Sequence, residues 1–270
     1  HRTIIMSSDI LYEHHGHVRL ITINRAAKMN SLDFAAHELM VEIWHEFNGD
    51  SDARVAVLTG MGDTAFCAGA DLKTYTMPFA KTPAPEFTRV YTNGPGLGGI
   101  TRNVHVFKPI VAAVNGYAIS GGLEIALACD IRFCSPNAEF GLQDVRWGFH
   151  ACDGALIRLR QIIGLGHAME MILSGDRFDA EFAARTGLVN RIIEQSELLV
   201  KTMTYAEKLA SRAPIAQQLA KEVMYRTHGL TLDEALRIES LSFRNLANSE
   251  DLAEGNLSFR EKRNAVFKGK

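Results

Sequence analysis

The stretch from Pro109 to Cys129 constrains the fold most, because within a few residues it passes from one backbone regime to another. Pro109-Ile110-Val111-Ala112-Ala113-Val114 is short, apolar and partly β-branched, as a buried strand requires, whereas Leu123 to Cys129 combines good helix formers with helical apolar spacing. Between them lies Asn115-Gly116-Tyr117-Ala118-Ile119-Ser120-Gly121-Gly122, so the order is strand, glycine turn, helix. Glycines at 121 and 122 let another group approach the backbone closely. The first N–H groups of a helix have no intrahelical partner and sit at the positive end of its dipole. An oxygen gaining negative charge is stabilised at such a place, and Glu124, in the first helical turn, stands within reach as acid or base. The plainer reading is that the glycines serve tight helix–strand packing and that Glu124 complements the dipole. Taken alone, the segment favours that plainer reading.

A second loop of similar character shifts the balance. Val55-Ala56-Val57-Leu58-Thr59-Gly60 has the composition of another buried strand, and Thr64-Ala65-Phe66-Cys67-Ala68-Gly69-Ala70-Asp71-Leu72-Lys73 follows it. Two strand-ending loops rich in small residues can each aim one N–H at the same point. In these two segments the chain resembles the crotonase (enoyl-CoA hydratase/isomerase) superfamily. The resemblance runs on through Ile21-Thr22-Ile23-Asn24-Arg25, Lys28-Met29-Asn30-Ser31-Leu32, Cys129-Asp130-Ile131-Arg132, Ala138-Glu139-Phe140-Gly141, Leu173 to Arg177, Ala183 to Val189, and Glu254-Gly255 through Phe267. Six or more such segments in the right order cover nearly the whole length.

The resemblance implies an α/β fold: a spiral core of β-β-α turns over residues 6–195, carrying an acyl-CoA site, and a C-terminal helical region, 196–270. In the family that region mediates trimerisation, often within a dimer of trimers. The resemblance also implies an oxyanion hole for a thioester carbonyl, built from the N–H groups of Ala70 and Gly121. Coenzyme A, as part of the substrate, is expected along the backbone near Lys28, Ala68, Asp71 and Leu72, with Lys28, Lys73, Lys262 and Phe259 as adenine and phosphate contacts.

The second carboxylate departs from the pattern. Family hydratases commonly carry a Pro-Glu pair where this chain has Gln143-Asp144, so the acid is kept but is one methylene shorter. A misplacement of about 1 Å can cost roughly a hundredfold in rate. The chain also has Ala151-Cys152-Asp153-Gly154-Ala155 in place of a glycine-rich turn, which adds a third acid where some relatives that isomerise dienes or cleave C–C bonds carry one. Asp153 as the N-cap of a helix beginning near Ala155 is the alternative favoured over a chemical role. His150, in the same loop, is a secondary candidate. The expected activity is hydration of an enoyl-CoA, a lyase reaction of the kind found in fatty acid metabolism, with Glu124 and Asp144 on opposite sides of the unsaturated thioester. It needs no metal and no redox cofactor. Isomerisation by a single base, and a CoA-binding scaffold without turnover, are the other readings.

Composition excludes several classes. A 270-residue chain with a net charge of −2 can bury a sizeable core and gives no reason to expect nucleic acid. Cys67, Cys129, Cys134 and Cys152 lack paired metal spacing or a secreted-scaffold context, which predicts reduced, mostly buried thiols and a cytoplasmic setting. No apolar run reaches membrane-spanning length and no signal pattern opens the chain; His1 to Ile5 before Met6 read as an expression remnant or a short native extension. The His14-His15-Gly16-His17 cluster is expected to be a solvated hairpin turn rather than a metal site, and Ser120 is given no nucleophilic role. Gly94 to Gly99 satisfies G-x-G-x-x-G but lacks the flanking strand, so residues 75–106 are expected to form a mobile loop and short helix beside the acyl pocket, or an ordinary surface loop. Helices are predicted over Asp33 to Phe47, Leu198 to Arg212, Pro214 to His228 and Leu232 to Leu246.

Overall fold

The computed structural model describes residues 2–4, 9–103 and 105–270. Strands buried along their whole length build its centre. Strands β1 (Arg2–Ile4), β2 (Ile10–His15), β3 (Val18–Ile23), β4 (Val55–Gly60), β6 (Ile110–Val114), β8 (Ile131–Cys134) and β11 (Arg191–Ile192) form one sheet in the order β1-β2-β3-β4-β6-β8-β11. The smaller sheet runs β10-β9-β7-β5, from β5 (Ala65–Cys67), β7 (Tyr117–Ile119), β9 (Glu139–Gly141) and β10 (Arg177–Asp179). Each central strand of the large sheet is followed by one of the small sheet and then by helical segments: β4 by β5, β6 by β7, β8 by β9. This is the β-β-α repeat expected from the sequence, and β3, β4, β6 and β8 pair in parallel as it requires.

Both faces of the large sheet are covered, which is why its strands read as continuous apolar runs. Ile21, Leu58, Ala112 and Val114 face the main core. Their neighbours Leu20, Val57, Val111 and Ala113 face the other way, onto Leu198, Ala206 and Ala210 of the Gln195–Ala210 helix. The Phe34–Gly49 helix opens where Asp33 accepts the Ala36 N–H at 3.0 Å, and it buries Ala36, Met40, Ile43, Trp44 and Phe47 along one stripe.

Two buried asparagines fix the ends of the strands. Asn115, after β6, accepts the Gly60 N–H and donates to the carbonyls of Gly60 and Gly62, so it clasps the end of β4. Asn30, at φ +54°, accepts from the Arg25 N–H and donates to the Ala65 carbonyl at 2.7 Å. The three histidines lie at the β2–β3 hairpin, where His15 pairs with Val18 across Gly16-His17; no metal-binding cluster exists among the described residues. The glycines at 94–99 form a turn docked on the Phe34–Gly49 helix, where Gly98 accepts from the Trp44 indole and donates to His37. The C-terminal helices run Pro214–Arg226, Leu232–Arg244 and Glu250–Glu261; the last has few apolar residues and an internal glycine, and periodicity did not reveal it. Among the described residues no helix is long and apolar enough to cross a membrane.

Gly122 is where the helix start meets the loop after β5. A Cβ there would lie 1.8 Å from the Cys67 carbonyl oxygen, a backbone atom that cannot swing aside. Gly122→Ala is therefore expected to lower stability in urea unfolding by about 3 kcal/mol or more. A loss under about 1 kcal/mol would show that this packing is looser than described.

Candidate active site

The loop after β5 is held from below by the turn at residues 28–32. Leu32 donates to Gly69 O and accepts from the Asp71 N–H, both at 2.8 Å, and the Ala68 N–H reaches Met29 O at 3.0 Å. Leu32 thereby grips the residues on either side of Ala70 and leaves the Ala70 N–H directed elsewhere. The Asp71 carboxylate accepts the N–H groups of Lys73 and Thr74, which lowers its pKa and starts the next helical turn.

The other half is the start of the Gly121–Ala128 helix. Ser120, before it, takes φ +50°, a region non-glycine residues seldom occupy, and its N–H donates to Gly141 O of β9. The two halves touch: a Cβ on Gly69 would come within 2.9 Å of the Gly121 nitrogen, and one on Gly121 within 3.4 Å of the Ala70 nitrogen. Among the described residues neither the Ala70 nor the Gly121 N–H donates a hydrogen bond. Both residues line one cavity of about 470 Å³, together with Glu124, Asp144, His150 and Asp153.

Glu124 is 2% exposed. Its Oε1 accepts the N–H groups of Asp153 at 2.8 Å and Ala155 at 3.0 Å. Burial, reinforced by the negative charge of Asp153, pushes its pKa up to about 8 against the pull of those two donors. Asp144, in the short helical turn Gln143–Trp147, is buried as well, and burial raises its pKa while the Ser120 hydroxyl opposes the rise. Among the described residues its Oδ2 has no hydrogen-bond partner. The Ser120 hydroxyl also accepts the Gln143 N–H at 3.2 Å, so one residue bears on both the amide half and the second acid.

Asp153 is not a helix cap. Gly154, at φ +104°, occupies the cap position, and Asp153 Oδ1 instead accepts from the Leu97 N–H at 2.9 Å and the Thr101 hydroxyl at 2.8 Å, tying the glycine turn to the cavity wall. His150 Nδ1 donates to Ala151 O. Cys67, Cys129 and Cys134 are buried as expected, but Cys152 is exposed and borders the cavity. Leu72 lines the cavity too; Phe259, 86% exposed, lines a separate groove with Ala213 and Leu246, and Lys262 is the left-handed cap of the last helix. The aromatic lining from Tyr75, Phe79, Trp147 and Phe149, and the positioning by Ser120, were not read from the sequence.

Two loops that present unpaired amides beside two buried acids are the site expected of an enzyme working on a thioester carbonyl. Residues 13–270 match the family model for enoyl-CoA hydratase/isomerase, and the chain belongs to that family. It is 40% identical over 253 residues to an (E)-benzylidenesuccinyl-CoA hydratase of Thauera aromatica, covering 94% of this chain and 96% of the relative. A carnitinyl-CoA dehydratase of Escherichia coli strain K12 is 37% identical over 270 residues, with 98% and 100% covered. The fold matches the crystal structure of an enoyl-CoA hydratase from Mycobacterium tuberculosis H37Rv with a TM-score of 0.88 at 33% identity, over 98% of this chain and 100% of that one.

The raised pKa of Glu124 has a consequence for stability. Its proton is held more tightly folded than unfolded, so its contribution is fully present below the ordinary value of 4.5 and is lost as the pH rises toward 8. Glu124→Gln, a neutral isostere, is expected to raise the melting temperature, with the gain growing between pH 5 and pH 8. A pH-independent difference would mean the carboxyl is not held protonated.

Proposed function

We propose that the chain hydrates an α,β-unsaturated acyl-CoA. The observation that carries this reading is the pair of unpaired amides at Ala70 and Gly121, opening on the same cavity as Glu124 and Asp144. The thioester oxygen accepts both N–H groups, which polarises the β-carbon and stabilises the enolate that forms. Asp144, as the carboxylate, takes a proton from water while the hydroxide bonds to the β-carbon. Glu124, held neutral by burial, gives its proton to the α-carbon, and the product gains one water. The names of the two relatives, a hydratase and a dehydratase, support addition or removal of water.

Backbone near Lys28, Ala68, Asp71 and Leu72, with Lys73, holds the CoA in this reading. Phe259 and Lys262 remain the proposed adenine and phosphate contacts; within one copy of the chain Phe259 lines a groove apart from the cavity and Lys262 caps the last helix. No metal or further cofactor takes part. Residues 6–195 carry the site, and residues 196–270 supply contacts between copies in a trimer or a dimer of trimers, a role suited to exposed Met224, Leu232, Leu241 and Phe243. A cytoplasmic setting fits the free thiols.

Crotonyl-CoA tests the reading, followed by loss of enoyl absorbance and by product mass. Glu124→Gln and Asp144→Asn should each lower kcat by about a hundredfold to ten-thousandfold with CoA-ester binding kept. Spectral change without mass gain, or an Asp144→Asn enzyme as fast as the parent, would point to a one-base isomerase; absence of turnover with every enoyl-CoA tried would point to a scaffold.

A further inference from the structure

Part of the cavity wall is made of rings in a common orientation. Tyr75 stacks on Phe34 with centroids 4.5 Å apart and planes 28° from parallel, and on Phe79 at 6.3 Å and 24°. Phe79 is in turn wedged against Tyr91 and Phe87 at 4.3 and 4.9 Å. Of this stack Tyr75 and Phe79 reach the cavity, so its surface there is flat and backed by further rings that keep it from giving way. Two more aromatic residues, Trp147 and Phe149, line the same cavity from the segment that carries Asp144. They are 66% and 38% exposed, and among the described residues neither makes a ring contact. Large apolar side chains left open at the rim of a concave site keep area that a ligand would cover.

We propose that this cavity selects an acyl group bearing an aromatic ring, held between the Tyr75–Phe79 wall and the Trp147 and Phe149 side chains; the inference rests on the acyl-CoA reading of the site. A flat ring gains from offset or edge contacts beyond the area it buries, whereas an alkyl chain gains the area alone. Ring faces also attract cations, but the remaining acid on this side, Asp153, is already engaged. Its carboxylate accepts from the Leu97 N–H and the Thr101 hydroxyl and has the Arg102 guanidinium 3.8 Å away, so it is not a free counter-ion for a cationic acyl tail.

Binding and turnover separate this proposal from the hydratase reading. The saturated esters 3-phenylpropionyl-CoA, butyryl-CoA and octanoyl-CoA, and a trimethylammonio-butyryl-CoA, are titrated calorimetrically into the wild type and into Trp147→Ala, an exposed change that does not disturb the core. The phenylpropionyl ester is expected to bind at least tenfold more tightly than either alkyl ester, and Trp147→Ala to erase most of that margin. In parallel, cinnamoyl-CoA is expected to be hydrated with at least tenfold higher kcat/KM than crotonyl-CoA. Equal or tighter binding of the octanoyl or cationic ester, or a margin that survives Trp147→Ala, overturns the aryl selectivity whatever the turnover. Aryl-selective binding without hydration of either enoyl ester upholds the selectivity and overturns the hydratase reading instead.

Discussion

The site depends on one contact between two stretches of backbone, Gly69-Ala70 against Gly121-Gly122. Nothing larger than hydrogen fits between them: a Cβ at Gly69 meets the Gly121 nitrogen and one at Gly122 meets Cys67 O. Two amides brought that close while unpaired carry a real cost, because buried backbone donors are almost always satisfied. The scaffold offsets it with ordered hydrogen bonds around the pair: Leu32 on both neighbours of Ala70, Gly141 O on Ser120, Asn30 and Asn115 on the strand ends.

Electrostatics follow from that geometry. Asp153 supplies a backbone N–H to Glu124, which favours the charged form, and a nearby carboxylate, which opposes it; burial decides the outcome in favour of the neutral acid. The site therefore holds an acid and a potential base that differ in surroundings more than in residue type.

Local features were legible in the sequence. Strands 55–60 and 110–114, the helix beginning at Asp33 and the place of Glu124 in a first helical turn each follow from a few consecutive residues. Features built across long separations were not. Asp153 reads as a cap because Leu97 and Thr101, more than fifty residues earlier, are invisible in the local pattern. The ring stack draws on Phe34 as well as the proline-rich 75–92 stretch, where no periodicity ties Tyr75 to Phe79 and Tyr91. Ser120 was set aside as a nucleophile on motif grounds, but nothing in its neighbours announces a positive φ.

That residue bears on two parts of the cavity wall at once. Its backbone sets where the helix begins, hence the direction of the Gly121 N–H, and its hydroxyl bears on the turn that carries Asp144. The Gly121 amide and the Asp144 carboxyl are therefore tied to each other through one residue. Tyr75 and Phe79 stand on a different segment, so a substitution there changes the wall of the cavity without touching this joint, whereas one at Trp147 falls in the turn that carries Asp144.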